Sequence, residues 1–441
     1  MSSMYVAVVL LAVIALLIFM VSKLKFHAIL SLFVATIVLA FLVNTPMNKI
    51  PAMINKGFGN TCASVALIIF LGSLLGIILS ETGAIVKITD SLVKLCGEKR
   101  VLWAVGASCC ILGIPVFPDT ISLLVIPLCT NLSKKTGISM LAFASVIQIS
   151  ITTSSLVPPT PGPVAGAATL GLPLGQAIPW GILVAIPGLI VTVIYASRLK
   201  DKHIPLNDAF LKEDVNMQEV TMSLFKALLP VLIPVILIVG QTLTNVFLPK
   251  TMLANLMNFI GAPLSALFIG CFLAVLLQVR DWATNENVRN SWINRAVMDC
   301  AGPVFITALG GSLAAFIKEA GVAKTLAEMI VNASIPGIFV PMLIGMLIRT
   351  ITGSNTLGVV TAAALCQPML DTLHVSTLAA YLAMCSGAII VSHANSSGFW
   401  LTCSMSKMNF NQGLEAIGGS TFVSGLACSI TTLALYFAGI I

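Results

Sequence analysis

The stretch TSSLVPPTPGPVAG, residues 153–166, places four prolines within six positions of a strongly apolar chain. Proline has no backbone N–H and its ring clashes with the preceding turn, so a helix cannot run unbroken through this stretch. Non-helical backbone at membrane depth persists only where it is buried in protein or lines a wet cavity. The stretch therefore predicts a membrane helix that is opened to expose its backbone to a solute.

The composition of the whole chain indicates an integral membrane protein. Of its 441 residues, 58% are hydrophobic and only 9% are charged, which is too few polar residues to cover the surface of a soluble domain. Apolar runs of about 20 residues, long enough to cross a bilayer, recur from end to end. The first run, residues 4–22, lacks the basic start and the cleavage site of a signal peptide. We therefore expect an all-α membrane protein with about 10 transmembrane helices.

The basic residues orient these helices, because Lys and Arg favour short cytoplasmic loops. Lys23 and Lys25 follow the first apolar run, which puts the N-terminus on the outer side. The stretch 101–132 is apolar but interrupted by IPVFPDT. If this stretch enters the membrane and returns to the same side, most of the basic residues that follow lie in cytoplasmic loops. Two ordinary crossings there would give the same parity, so the re-entrant hairpin depends on its polar tip. The C-terminus is also expected on the outer side.

The two halves of the chain resemble each other. LGSLLGIILSETGAIVKITD at 71–90 aligns without a gap with LGGSLAAFIKEAGVAKTLAE at 309–328, and Gly162 aligns with Gly398. Matched registers over such a distance indicate an internal repeat. Since each half is expected to cross the membrane an odd number of times, the second half should be inverted relative to the first.

The repeat predicts the domain organisation of the chain. Each half is expected to hold one re-entrant hairpin and one broken helix. The predicted segments are a first repeat at 1–197 with hairpin 101–132 and broken helix 139–170, a cytoplasmic linker at 198–224, and a second repeat at 225–441 with hairpin 335–371 and broken helix 376–410.

Four interruptions at matched positions predict a binding site. The hairpin tips are IPVFPDTIS (114–122) and ITGSNTLG (351–358), and the second helix break is SHANSSGFW (392–400). Each break leaves a half-helix whose free N–H groups and dipole attract an anion, while opposing carbonyls suit a cation. Inverted repeats with paired broken helices are typical of secondary transporters. Kinks that only direct helix packing are the alternative, which four repeat-related breaks disfavour.

Three ionisable residues lie at these interruptions. Asp119 is a candidate for substrate contact and proton coupling, since a carboxylate at membrane depth favours its neutral form; alternatively it caps the second hairpin arm. Arg349 offers bidentate hydrogen bonds to a carboxylate, or is a structural arginine held by loop carbonyls. His393 could bind substrate hydroxyls or transfer a proton, or be a structural histidine.

The other candidates for substrate binding supply uncharged donors and acceptors or exposed backbone. Alternatively, they only satisfy the opened backbone. They are Thr120, Pro159, Thr160, Pro161, Gly162, Gly353, Ser354, Asn355, Thr356, Asn395 and Ser396.

Several function classes find no support in the sequence. No Gly-Lys-Ser phosphate loop is present, which argues against an ATP-driven pump. The four histidines are scattered and the 11 cysteines form no CxxC pair, so no metal site and no cofactor are expected. Topology explains the net charge of +7 better than nucleic-acid binding does. Adjacent Ser392 and His393 do not make a catalytic triad, and we expect a protein that is not an enzyme.

Four motifs resemble the bacterial gluconate permease family, the gluconate:proton symporters, within the wider ion-transporter superfamily. The motifs are KFHAILSLFVA at 25–35, PPTPGPVA at 158–165, GSNTLGVVTAAA at 353–364 and SHANSSGFWL at 392–401. The resemblance implies an inner-membrane symporter that imports gluconate or a related sugar acid or hydroxy-acid together with protons.

The resemblance also implies a homodimer in the bilayer and an elevator-like movement of the hairpin-bearing region. Two departures from the family pattern stand out: Thr160 occupies a position where the family usually has histidine, and Ser396 one where it usually has an acid. A sodium-coupled carboxylate carrier and an organic-anion channel on the same scaffold are the alternative functions.

Overall fold

The computed structural model describes residues 3–212, 222–319, 336–390, 392–393 and 396–441. Residue 335, where the second hairpin is predicted to begin, and the candidate Asn395 lie outside these ranges. The regular secondary structure of the described residues is helical, which confirms the predicted all-α class.

Within the described ranges there are 22 α-helices, numbered in chain order. They are α1 (Ser3–Ser22), α2 (Ala28–Leu42), α3 (Ile50–Glu81), α4 (Ala84–Cys96), α5 (Val101–Leu112), α6 (Pro118–Thr136), α7 (Met140–Ile147), α8 (Ile149–Leu156), α9 (Pro161–Leu170), α10 (Leu174–Ser197), α11 (Asp208–Lys212), α12 (Leu224–Phe247), α13 (Met252–Ile260), α14 (Pro263–Gln278), α15 (Trp292–Glu319), α16 (Phe339–Thr352), α17 (Asn355–Cys366), α18 (Leu370–Leu373), α19 (Thr377–Gly387), α20 (Ser397–Met405), α21 (Phe410–Gly413) and α22 (Gly419–Phe437). Short 3₁₀ or π segments occupy Met47–Lys49, Glu98–Arg100, Asn287–Ser291, Gln367–Met369 and Leu414–Gly418.

Several of these helices are long and apolar enough to cross a membrane. Within the described ranges there are seven such stretches, or eight if α13 and α14, which meet at a bend of 64°, count as one span. They confirm a multi-span membrane protein, whereas the total of about 10 crossings stays a prediction.

The helices stop at each of the predicted interruptions. Breaks separate α5 from α6, α8 from α9, α16 from α17 and α19 from α20. Prolines begin α6 and α9, where the missing N–H is not needed by the helix. Between α16 and α17 the chain turns at Gly353, whose φ of 77° is accessible to glycine without strain.

The positions of matched helices support the predicted repeat. Shifting α9 by the offset of 236 between Gly162 and Gly398 predicts a helix at 397–406, and α20 spans Ser397–Met405. The matched helices α3 and α15 run antiparallel, because Glu81 at the end of α3 pairs with Arg295 near the start of α15. Antiparallel equivalents are what two inverted repeats require.

Small residues hold α3 and α15 close together. A Cβ added to Gly57 would lie 2.6 Å from the Cα of Ser312, and the Ser312 hydroxyl donates to the Ile54 carbonyl at 2.9 Å. Glycine and serine at a crossing let two membrane helices approach backbone to backbone. The two halves are therefore joined directly, and α9 packs against both α3 and α15.

Candidate functional site

A polar cavity of about 410 Å³ lies where the four helix breaks meet. The N-termini of α6 and α9 from the first half and of α17 and α20 from the second half contribute to its wall. Its lining residues are Phe117, Pro118, Asp119, Thr120, Ile151, Ser154, Ser155, Thr160, Pro161, Gly162, Pro163, Asp299, Arg349, Gly353, Asn355, Thr356, Val359, Ser396, Ser397 and Gly398.

At three of the four helix starts the cap residue makes no side-chain hydrogen bond to the helix. The cap positions Phe117, Thr160 and Ser396 make no capping hydrogen bond, whereas Ser354 accepts one from the Leu357 N–H at 3.2 Å. The first N–H groups of a helix have no partner within the helix, and together with the dipole they form an anion site. These helix starts therefore add positive potential to the cavity.

Arg349 is the strongest electrostatic feature of the cavity. The side chain lies in the last turn of α16 and is 1% exposed. Its Nε and Nη1 atoms are buried and have no hydrogen-bond partner among the described residues. A buried guanidinium without partners is costly, so an anion that accepts from these two nitrogens would be bound strongly.

Asp119 faces the N-terminus of the opposite half-helix, α20. Its Oδ2 accepts from the Ser397 hydroxyl at 3.5 Å, and a Cβ on Gly398 would lie 2.7 Å from its Oδ1. The ion pairs within 4 Å in the described part of the chain do not include Asp119 with Arg349. The carboxylate is therefore held by a helix terminus and remains exposed to the cavity.

Side chains from both halves satisfy the opened backbone between α8 and α9. The Thr160 hydroxyl lies 2.5 Å from the Ser154 carbonyl oxygen, to which it donates. From the second half, the Tyr381 hydroxyl donates to the Leu156 carbonyl at 2.7 Å. Asn355 donates through Nδ2 to the hydroxyl of Ser155 at 2.6 Å. These bonds fix the break and tie it to the second hairpin tip.

The structure brings most of the predicted site residues to one place. Those that line the cavity are Asp119, Thr120, Thr160, Pro161, Gly162, Arg349, Gly353, Asn355, Thr356 and Ser396.

Three predicted residues lie outside the cavity wall. Ser354 caps α17, and the carbonyl oxygen of Pro159 lies against Gly72 of α3. The His393 ring places Nε2 at 2.8 Å from the carbonyl oxygen of Thr350. His393 therefore contacts the residue next to Arg349 and not the cavity itself.

Sequence reasoning missed other lining residues. Ser154 and Ser155 belong to the interrupted stretch 153–166, so the local pattern could have found them. Asp299 lies within the unbroken helix α15, and nothing in its sequence neighbourhood marks it.

Apolar helices long enough to span a bilayer, arranged around a polar cavity of broken helix ends, define a multi-span membrane transport protein. Comparison with known proteins identifies the family within this class. A model of the GntP family permease matches residues 4–438, and the chain belongs to this family. It is therefore a permease and not an enzyme, and the resemblance noted in the sequence is confirmed.

Named relatives agree with this family assignment, and one solved structure shows the same fold. The gluconate permease of Pseudomonas aeruginosa is 28% identical over 408 residues, which cover 90% of this chain and 89% of that protein. The Gnt-II system L-idonate transporter of Escherichia coli K12 is 28% identical over 401 residues, covering 89% and 90%. The crystal structure of the YdaH transporter of Alcanivorax borkumensis has the same fold, with a TM-score of 0.67, 15% identity and coverage of 93% and 97%.

Proposed function

We propose that the protein is a secondary active symporter that imports gluconate or a related sugar acid across the bacterial inner membrane together with protons. The observation that carries this proposal is the pair of buried, unpartnered nitrogens of Arg349 in the cavity wall. The names of the relatives, a gluconate permease and an L-idonate transporter, support the same class of substrate.

The proposed binding mode follows from the donors that surround the cavity. The substrate carboxylate accepts hydrogen bonds from the Arg349 guanidinium, whose adjacent N–H groups form the fork that a carboxylate favours. The uncapped N-termini of α6, α9 and α20 add positive potential around it. The hydroxyls of Ser154, Thr356 and Ser396 can donate to and accept from the hydroxyl groups of a sugar acid.

We assign proton coupling to Asp119. Its carboxylate is exposed to the cavity and lies against the start of α20, so its charge affects how strongly the two halves hold together at this point. A proton on Asp119 and a bound monoanion together add no net charge to the cavity. His393 contacts the Thr350 carbonyl, and we give it the role of positioning the end of α16 that carries Arg349.

In alternating access, the cavity opens first to one side of the membrane and then to the other. This requires that the parts of the protein that enclose the cavity move relative to each other. Because its wall is shared by helix ends from both repeats, movement of the hairpins relative to the rest of the chain would change access without dismantling any single helix.

The test is uptake of radiolabelled gluconate by the purified protein in liposomes. We expect accumulation above the external concentration under an inward proton gradient, and loss of accumulation when a protonophore is added. Accumulation that follows sodium instead would identify a sodium-coupled carboxylate carrier. Uptake that never exceeds electrochemical equilibrium would identify an organic-anion channel, and either result would contradict the proposal.

A further inference from the structure

Asp299 is a second carboxylate in the cavity wall, on a different element from Asp119. It lies in the first half of α15 and is exposed. It makes no hydrogen bond or ion pair with any residue in the described ranges. The next residue, Cys300, packs in a small apolar cluster with Val65 of α3 and Val164 of α9, which fixes this part of α15 beside the broken helix.

The two cavity carboxylates are in different surroundings. Asp119 accepts a hydrogen bond from Ser397 and lies at the start of α20, so its negative charge is partly compensated. Asp299 has no such compensation. Of the lining residues, Arg349 is the one that carries a permanent positive charge, and its burial at the end of α16 leaves it more than 4 Å from either carboxylate.

An uncompensated carboxylate interacts differently with a sugar acid that ends in a hydroxyl group and with one that ends in a second carboxylate. A terminal hydroxyl can donate a hydrogen bond to the carboxylate, whereas a second carboxylate can only be repelled by it. Selectivity often depends on such a repulsive element in addition to attractive contacts.

We propose that Asp299 makes the cavity select sugar acids with one carboxylate and exclude the diacids of the same chain length. Arg349 binds the carboxylate, and Asp299 accepts a hydrogen bond from the hydroxyl-bearing end. This inference rests on the proposed function and specifies the substrate class of the same cavity.

D-Gluconate and D-glucarate provide a matched pair of probes, because they differ at one terminal carbon, which is a hydroxymethyl group in gluconate and a carboxylate in glucarate. Binding of each to the purified full-length protein is measured by isothermal titration calorimetry. For the wild type we expect gluconate to bind at least tenfold more tightly than glucarate. For Asp299→Asn this preference should shrink by at least tenfold, mainly because glucarate binds more tightly. Asp299→Lys should reduce the preference for gluconate over glucarate further than Asp299→Asn does.

Glu286→Gln is the matched control, since Glu286 is an exposed carboxylate just before α15 that does not line the cavity. It should keep the wild-type preference. If Asp299→Asn and Asp299→Lys both keep the wild-type preference for gluconate over glucarate and bind gluconate normally, Asp299 does not determine selectivity. That result would overturn the role of Asp299 and leave the proposed function standing. Failure of the wild type to bind either acid would overturn both.

Discussion

Replacing Arg349 with methionine should have opposite effects on substrate binding and on the stability of the empty protein. The change removes the charge but keeps a long apolar side chain. If the substrate carboxylate accepts two hydrogen bonds from the guanidinium, each charge-assisted hydrogen bond contributes about 1.5–3 kcal/mol, or about 3–6 kcal/mol for both. Since about 1.4 kcal/mol corresponds to a factor of ten, affinity for gluconate should fall by about two to four orders of magnitude.

The ligand-free protein should respond in the other direction. The two nitrogens are buried without partners in the described part of the chain, so Arg349→Met removes a desolvation cost of about 1–3 kcal/mol or more. We expect an unfolding temperature equal to or above that of the wild type. Arg349→Lys keeps the charge but loses the bidentate geometry, so its affinity for gluconate should lie between those of the wild type and Arg349→Met.

The assay is thermal unfolding of the detergent-solubilised protein with and without gluconate, combined with calorimetric binding. A bound ligand at free concentration L stabilises the folded protein by RT ln(1 + L/Kd), so the unfolding temperature rises with the logarithm of affinity and concentration. Exposed Arg289 provides the control, because Arg289→Met removes a cationic side chain away from the cavity. Wild-type affinity in Arg349→Met, or a ligand-free protein that unfolds at a clearly lower temperature, would refute the reasoning and favour a purely structural arginine.

Three further predictions concern coupling and packing. Asp119→Asn should abolish accumulation driven by a proton gradient while gluconate counterflow persists; unchanged accumulation in the liposome assay would remove Asp119 from coupling. Gly398→Ala should slow gluconate uptake several-fold, because its Cβ would lie 2.7 Å from the Asp119 carboxylate. Gly162→Ala, at the matched position of the first half, should slow uptake much less, because its Cβ would lie 3.5 Å from the nearest atom. Equal slowing of uptake by the two variants would contradict this steric argument. Gly57→Ala should destabilise the fold by about 1–3 kcal/mol through overpacking against α15. Gly59→Ala, with no atom within 4 Å, should unfold like the wild type, so matching unfolding curves for both variants would contradict the packing argument.

The sequence predicts the helix breaks well because proline and glycine act locally. Prolines at 158–163 end one helix and begin the next wherever the surrounding chain lies, and the turn at Gly353 needs a residue that tolerates positive φ. The predicted internal repeat then relates each break in one half to a break in the other. These two signals are sufficient to bring Asp119, Arg349 and Asn355 into one predicted site.

The direction of individual side chains could not be predicted in the same way. His393 lies in an interrupted stretch like its neighbours, but packing turns its ring to the Thr350 carbonyl and away from the cavity. Asp299 shows the reverse case, because α15 is continuous around it and only the folding of α15 beside α9 brings it to the wall. Such contacts depend on residues far apart in the chain, and no local pattern encodes them.

The most direct test of the account is an experimental structure of the protein with bound D-gluconate. We predict ligand density in the cavity between the starts of α6, α9, α17 and α20, with the carboxylate within hydrogen-bond distance of the Arg349 guanidinium. Gluconate bound elsewhere, or bound in the cavity with its carboxylate away from Arg349, would contradict the central claim.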